Sequence, residues 1–301
     1  MERCEVSSSA CPQCFMACGK ISEVKQGRHK GLRIMGPEYE TIYAFGGLCM
    51  VNSIEEIIYL NDLCDRLGMD TITAGNLAAF AMEASKRKKI KEDLQYGDVD
   101  GIAEVLTNIA YRKGVGRILS EGVRYAAMVW GMKEKAIHVK GLEPAGFDPR
   151  VLKGMGLAYA TSDRGACHLR ATFYKSELSG QIAPDRIKGK AKLFVDYEDK
   201  MTLFDALILC RFYRDLITWK DLQEILKSTC NLSLKKKELK TMASGIINLA
   251  RTFNQREGLT KKEDKLPRRF LREVLHGTEK TIQPEDLKFM LKEYYQLRGW
   301  N

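Results

Sequence analysis

The amino-acid sequence predicts a mainly all-α protein, with two multihelical domains and only minor short β pieces. Three observations favour this fold class. Apolar residues recur with a helical period, several of these runs end in glycine or in lysine and arginine, and glycine and proline interrupt the pattern most clearly near the middle of the chain. Hydrophobic residues make up 45% of the 301 residues and charged residues 29%, which is typical of a globular protein with a substantial core.

Helix signals are clearest in the run 53–68. Ser53 forms a capping box with Glu56, and Gly68 ends the run with a residue that tolerates a left-handed cap. Other runs show the same apolar period, and several end in glycine, lysine or arginine. Helices are therefore predicted over 53–68, 71–89, 100–114, 116–131, 202–215, 219–230, 235–258 and 284–299.

One segment separates these helices into two domains. Glycine and proline interrupt the helical pattern over 138–150, and a boundary in this segment gives a domain 1–140 and a domain 141–301. Short β pieces are expected around 31–41 and 136–141.

The charge pattern favours a protein that binds neither nucleic acid nor membrane. The formal net charge is +10, but the basic runs at 86–91, 235–237 and 261–269 lie far apart and are mixed with acids. They are interpreted as solvated helix faces, with a docking surface for an acidic partner as the alternative. No run of about 18 apolar residues predicts a membrane span. The first residues lack the apolar segment of a secretory signal, so we expect a cytoplasmic protein.

Three of the nine cysteines cluster near the N-terminus, at Cys11, Cys14 and Cys18. The odd total and the clustering indicate metal binding rather than disulfides. The C-x2-C-x3-C spacing puts three soft thiolates on one loop, where they could hold three corners of a cubane, and Gly19 would let the backbone turn. Zinc and unligated thiols stay open as alternatives, although the four histidines supply no second ligand pair.

Eight motifs follow one another from residue 11 to the C-terminus: CPQCFMACGK (11–20), GPEYET (36–41), NDLCDRLGMDTITAG (61–75), GLEPAGFDPR (141–150), ATSDRGACHLRAT (160–172), DALILCRF (205–212), REGLTKKEDKLPRRF (256–270) and YYQLRGW (294–300). Each motif is weak alone, but eight in this order are hard to obtain by chance. Together they resemble the tungsten-containing aldehyde ferredoxin oxidoreductase family.

The resemblance implies two helical domains that follow an N-terminal β-domain. It also implies a tungsten (or molybdenum) bis-pterin between the domains, with a 4Fe-4S cluster close by. Cys11, Cys14 and Cys18 would be three ligands of that cluster, and Cys210 would be the fourth.

The same resemblance implies two pterin-binding motifs. Asp65, Gly68 and Asp70 would form the first, and Asp205 together with Cys210 the second. A pterin edge carries amino and ring N–H donors, for which a carboxylate is the natural acceptor. Gly68 can end a helix in a conformation that only glycine adopts freely, so the chain could curl round the ring.

Two residues match the acid/base pair of the family's active site, Glu40 and His168. Aldehyde oxidation needs a group that activates water or polarises the carbonyl and a group that takes the proton. A desolvated glutamate has a raised pKa and can serve in either role, and histidine titrates near neutral pH. Glu38 is the rival of Glu40, because a strand would place both residues on one face.

Two features depart from the family pattern. Ile208 stands where glycine is expected in DALILC, and since a β-branched residue resists positive φ, the turn is expected to stay helical there. The chain begins ten residues before the cysteine motif, so the N-terminal β-domain is expected to be absent, and an apolar face should be exposed where that domain docks.

The expected function is therefore oxidation of an aldehyde to a carboxylic acid, with electrons passing from a metal-pterin through a 4Fe-4S cluster to ferredoxin. The expected partners are ferredoxin and a separately encoded β-domain, with a second copy of this chain as a further candidate. The alternatives are a non-catalytic iron–sulfur subunit, a remnant of a truncated gene, and a zinc- or nucleic-acid-binding helical protein.

Overall fold

The computed structural model describes residues 3–300, and it confirms the mainly α fold class. Within this range there are thirteen α-helices and one three-stranded sheet. The chain splits into two compact units, Met1–Gly146 and Phe147–Asn301. The boundary placed from the sequence, between 140 and 141, stays a prediction. Across the described range, no helix combines the length and hydropathy needed to cross a membrane.

The first unit begins with a small antiparallel sheet. Its strands are β1 (Glu5–Ser9), β2 (Gly19–Glu23) and β3 (Arg33–Met35), in the order β1-β2-β3. Ser9 pairs with Gly19, so the cysteine motif occupies the loop of the β1–β2 hairpin. Two earlier expectations are corrected: the β piece around 31–41 is limited to β3, and around 136–141 only an isolated bridge between Val139 and Leu142 forms.

Six helices complete the first unit. α1 continues into a π-helical turn, Tyr43–Leu48, against which α3 packs so closely that a Cβ atom on Gly75 would lie 2.6 Å from the Cβ of Ala44. The capping box predicted for the second helix is present in part, because the Ser53 side chain accepts from the backbone N–H of Glu56. The helices are α1 (Tyr39–Ile42), α2 (Ile54–Leu67), α3 (Thr71–Lys86), α4 (Val99–Ala110), α5 (Gly116–Leu119) and α6 (Val123–Val129).

The second unit is built from α7 (Lys153–Thr161), α8 (Tyr174–Leu178), α9 (Lys190–Ala206), α10 (Trp219–Cys230), α11 (Lys236–Arg256), α12 (Arg268–Arg272) and α13 (Pro284–Arg298). Helix α9 is central and packs against α7, α11 and α13. The single helix predicted over 202–215 is wrong. α9 starts well before it and ends at Ala206, and a 3-10 turn follows at Arg211–Tyr213.

Two buried charge clusters hold the helices of this unit together. Glu177 on α8 accepts backbone N–H groups of Gly154 and Met155 at the start of α7, and it pairs with Lys190 at the start of α9. Both side chains are fully buried. Near the C-terminus, Arg298 of α13 donates to Glu198 (2.5 Å) and Asp199 (2.6 Å) of α9. Because buried charges need partners, these contacts fix the packing of the helices.

The Glu177–Lys190 pair gives a first testable prediction. Replacing Lys190 by Met leaves the buried carboxylate without its charged partner, which typically lowers the free energy of unfolding by about 3–5 kcal/mol. Lys190→Met should show this loss in urea denaturation, and Glu177→Gln/Lys190→Met should recover part of it because the amide carries no charge. The control is Lys192→Met, an exposed residue on the same helix. Equal stability of the two lysine variants would contradict the assignment.

Candidate functional site

The cysteine motif lies on the exposed loop between β1 and β2. Cys11 and Cys18 are exposed, Cys14 is half-buried, and none of the three is in a disulfide. The N–H of Cys14 donates to the carbonyl of Cys11 (3.0 Å), which forms a tight turn inside the motif. Three thiols on one accessible loop have the donor type and exposure that three of the four corners of a cluster require.

The backbone of this loop corrects one expectation. Gly19 does not supply the turn, because it is already the first residue of β2 and its φ is not positive. The left-handed residues are Gln13 (φ 60°) and Ala17 (φ 43°). Gly19 is instead required by close strand pairing, since a Cβ atom there would lie 3.1 Å from the carbonyl oxygen of Ser9.

The cysteine side chains are not gathered around a common point in this structure. Between residues 3 and 300, no group of three or more histidine, cysteine, aspartate or glutamate side chains is close enough to share a metal ion. Cys210, the fourth predicted ligand, is exposed in the second unit and precedes the 3-10 turn Arg211–Tyr213. The cysteines therefore have the residue type that a cluster needs, but the β1–β2 loop would have to change its conformation to bring its thiols round one.

The first predicted pterin motif forms the exposed turn between α2 and α3. Gly68 caps α2 in the left-handed conformation (φ 69°), as predicted. Asp70 is the N-cap of α3 and accepts from the backbone N–H of Thr73 (2.8 Å). Asp65 is exposed, and the amide of the buried Asn61 donates to it (2.8 Å). The carboxylate of Asp65 is therefore oriented by the Asn61 side chain, and that of Asp70 by the N-terminus of α3.

Glu40 lies on α1, which contacts both helices that flank this turn. The hydroxyls of Thr41 and Thr71 are hydrogen-bonded (2.8 Å), which joins α1 to the first residue of α3. A Cβ atom on Gly36 would lie 3.7 Å from the Oδ1 of Asn61. The motifs GPEYET and NDLCDRLGMDTITAG therefore meet in the first unit.

The strand alternative for Glu38 and Glu40 is wrong. Glu38 is an exposed N-cap with extended backbone, and Glu40 is half-buried in the first turn of α1. Residues two apart do not share a helix face, so these two carboxylates point in different directions. The phenol of Tyr39 has a pKa raised by burial and by the negative charge of Glu40, and it donates to the carbonyl of Gly146 (3.1 Å).

Glu143 is a buried acid of the first unit that the sequence analysis did not single out. Its carboxylate accepts from the hydroxyl of Thr73 (3.2 Å) and from the backbone N–H of Val123 (3.2 Å), so it joins α3 to the start of α6. Burial raises the pKa of Glu143. Its place in the motif GLEPAGFDPR could have singled out Glu143, but the motif alone does not show which residues Glu143 contacts.

His168 lies in the second unit, in the loop that joins α7 to α8. It is buried, with its ring 5.5 Å from the ring of Phe147 and 6.1 Å from that of Tyr174. These two aromatic rings stack on each other at 3.9 Å. The imidazole of His168 is therefore packed beside aromatic rings and largely shielded from water.

Two arginines connect the His168 loop to Asp205. Arg170 binds Asp163 through both carboxylate oxygens (2.8 and 3.1 Å) and approaches Asp205 at 3.3 Å. Arg211 donates to the same oxygen of Asp205 (2.5 Å) and to the carbonyl of Leu169. The structure thus brings the motifs ATSDRGACHLRAT and DALILCRF together in the second unit. The sequence contained both arginines, but their shared acceptor follows only from tertiary contact.

Ile208 adopts a left-handed backbone conformation, although a β-branched residue resists it and the sequence therefore predicts a helical turn here. Its φ is +57°, so the expected helical turn is wrong, and its side chain is 93% exposed. The backbone N–H of Leu209 donates to the carbonyl of Phe204 (2.8 Å), which closes a left-handed C-cap after α9. The DALILC segment therefore has the turn that glycine would favour, although it has isoleucine at that position.

The comparisons with known proteins agree on one family. A family model described as aldehyde ferredoxin oxidoreductase, domains 2 and 3, matches residues 1–301. The tungsten-containing aldehyde ferredoxin oxidoreductases of Pyrococcus furiosus and Thermococcus kodakarensis are each 32% identical over 98% of this chain, which spans 50% of their length. The WOR-like subunit of the Pyrococcus furiosus aliphatic sulfonate oxidoreductase is 28% identical over 96% of this chain and is covered over 47% of its own length.

A solved structure shares the fold. The active site complex BamBC of benzoyl coenzyme A reductase superimposes with a TM-score of 0.75 over 100% of this chain and 51% of the matched chain, at 17% sequence identity. The chain therefore spans about half the length of the curated relatives and of the solved chain that it matches.

Ile208 provides the second prediction. Isoleucine in the left-handed region is strained by roughly 1–2 kcal/mol, and its exposed side chain has little packing to lose. Ile208→Gly should raise the free energy of unfolding by about 1 kcal/mol in denaturant titration. Ile208→Ala is the control, because it removes the bulk but keeps the Cβ atom, and it should recover less. If glycine is no more stabilising than alanine, the strain is absent.

Glu143 provides the third prediction. Its pKa is raised above the ordinary value of about 4.5, so the folded state holds a proton where the unfolded chain has released it. This contribution to stability is therefore lost as pH rises above about 4.5. As pH rises above about 4.5, urea titrations should show that the free energy of unfolding of the wild type falls relative to that of Glu143→Gln. Glu104→Gln, at an exposed position on α4, is the control, and parallel pH profiles for wild type and Glu143→Gln would contradict the assignment.

Proposed function

The chain belongs to the aldehyde ferredoxin oxidoreductase family, and on that premise we propose that it forms the two helical domains of a cytoplasmic enzyme that oxidises an aldehyde to a carboxylic acid. The observation that carries the proposal is that the family model covers the chain from end to end. The Thr41–Thr71 hydrogen bond supports it, because it joins α1, which carries Glu40, to the start of α3 directly after the Asp65–Asp70 turn.

Six of the predicted residues have the chemical groups that the family's cofactors need, which are thiols for the cluster and carboxylates for the pterins. Cys11, Cys14, Cys18 and Cys210 would hold a 4Fe-4S cluster, and Asp65 and Asp205 would accept hydrogen bonds from pterins that carry tungsten or molybdenum. When bound, the metal-pterin would supply the two-electron redox chemistry, and the cluster held by the cysteines would supply an electron path to ferredoxin. None of these four cysteines forms a disulfide, and three of them are exposed.

The two carboxylates are suited to bind rather than to react. Asp65 is oriented by Asn61 and Asp205 by Arg170 and Arg211. An oriented carboxylate accepts from amino and ring N–H groups without a change of its own conformation, which reduces the entropy lost on binding. We propose that Asp70 and Gly68 shape the turn beside Asp65 as parts of the same pterin-binding motif.

Proton transfer is assigned to Glu40 and His168. Conversion of an aldehyde and water to a carboxylic acid releases two electrons and two protons. The half-buried Glu40 would accept a proton from the attacking water, and His168 would polarise the carbonyl oxygen or take the second proton. The aromatic rings of Phe147 and Tyr174 beside His168 exclude water from its ring faces.

The half-length match to the relatives supports a partner that supplies their other half. We propose a β-domain polypeptide as that partner and ferredoxin as the electron acceptor, so the isolated chain should have little activity. Metal analysis and aldehyde-dependent viologen reduction, with and without the co-expressed β-domain, test this. High turnover by the chain alone would contradict the partner. A bleachable cluster without tungsten, molybdenum or activity in the complex would instead favour a non-catalytic electron-transfer subunit.

The cluster ligands give the fourth prediction. Anaerobic reconstitution with iron and sulfide should produce visible absorbance that dithionite bleaches, and Cys14→Ser should abolish most of it because one corner of the cubane loses its thiolate. Cys230→Ser is the matched control, since Cys230 is also exposed but lies outside the motif. Absorbance that is unchanged in Cys14→Ser, or zinc in place of iron, would contradict the ligand set.

A further inference from the structure

A cavity of about 560 Å³ lies in the second unit and is lined by none of the residues assigned a role above. Its walls come from α8, α9, the start of α10 and the segment before α10. Cavities of this size commonly hold small molecules. The lining includes Ser176, Tyr197, Lys200, Arg214, Asp215 and Trp219.

One cation in this cavity has no carboxylate partner. Of the two lining carboxylates, Asp196 pairs with Lys240, and Asp215 pairs with Lys175 and, at 3.9 Å, with Arg214. The ammonium of Lys200 donates only to the backbone carbonyl of Arg214, at 2.5 Å, and lies 5.8 Å from the centre of the Phe204 ring. Within residues 3–300, Lys200 forms no ion pair.

The environment of Lys200 favours a bound anion. Burial lowers its pKa, and the more distant charges of Asp215, Asp196 and Asp221 offset this only in part. An ammonium that has lost water without gaining a direct counter-charge is destabilised, and a ligand carboxylate within hydrogen-bond reach would restore the lost interaction.

The other walls suit a flat apolar body. Trp219 and Tyr197 line the cavity with rings, and Met201 contributes a flexible apolar side chain. The ammonium groups of Lys236 and Lys240 each lie 5.5 Å from the centre of the Trp219 ring. Lys236 adds positive potential on this side of the cavity, whereas the charge of Lys240 is offset by Asp196. Aromatic walls beside one unpaired cation distinguish this site from a simple phosphate site, which would need several donors on one anion.

We propose that this cavity binds a small aryl carboxylate, with the carboxylate on the Lys200 ammonium and the aromatic ring against Trp219 and Tyr197.

Benzoate and benzamide are matched probes of this site, because they share a ring and differ in charge. Isothermal titration of the full chain should show saturable binding of benzoate, with benzamide and inorganic phosphate each weaker by about tenfold or more. This comparison uses wild-type protein and does not depend on the folding of a variant. Absence of benzoate binding, equal binding of benzamide, or equal binding of phosphate would each overturn the proposal.

A pair of lysine variants tests the assigned cation. Lys200→Met keeps the length of the side chain but removes its charge, so benzoate affinity should fall by about tenfold. Lys220→Met is the matched control, because Lys220 lies on α10 outside the cavity with its side chain 83% exposed, and it should bind benzoate as wild type does. Equal benzoate affinity in the two variants would overturn the role of Lys200.

Discussion

The second unit depends on one buried carboxylate, that of Glu177. It accepts from two backbone N–H groups at the start of α7 and pairs with Lys190 at the start of α9. A fully buried charge is tolerated only when its partners are held in place, so this contact fixes three helices relative to one another. His168 lies in the loop between α7 and α8, and Asp205 lies in the last turn of α9. Both candidate residues therefore take their positions from helices that Glu177 anchors.

The first unit achieves the same precision with small side chains and neutral hydrogen bonds. Gly75 lets α3 approach the π-helical turn so closely that no larger residue fits, and the hydroxyls of Thr41 and Thr71 then meet at 2.8 Å. This contact joins α1, which carries Glu40, to the first residue of α3. A close packing of backbones leaves little freedom for relative movement, whereas the exposed cysteine loop is constrained mainly at its two strand ends.

Local signals explain which elements the sequence predicted. Ser53 and Gly68 begin and end α2 through contacts within one turn, so the pattern alone locates that helix. Helix α7 is buried on nearly every side, and α9 buries Lys190, Glu198 and Asp199, so neither has the polar face that marks an amphipathic helix. The three clustered cysteines were found from their spacing, and Cys210 and the pterin-binding aspartates through the family resemblance. Glu143 and the arginines that hold Asp205 are brought in by tertiary contacts that no local pattern encodes.

Exposed apolar side chains lie beside both sets of candidate cluster ligands. Phe15 follows Cys14 and is 75% exposed, and Ile208 precedes Cys210 by two residues and is 93% exposed. Ile208 is unfavourable on two counts, since a β-branched residue in the left-handed region is strained and its side chain gains no burial. A docked β-domain that covered Ile208 would offset these unfavourable terms, because it would convert an exposed, strained residue into a buried contact.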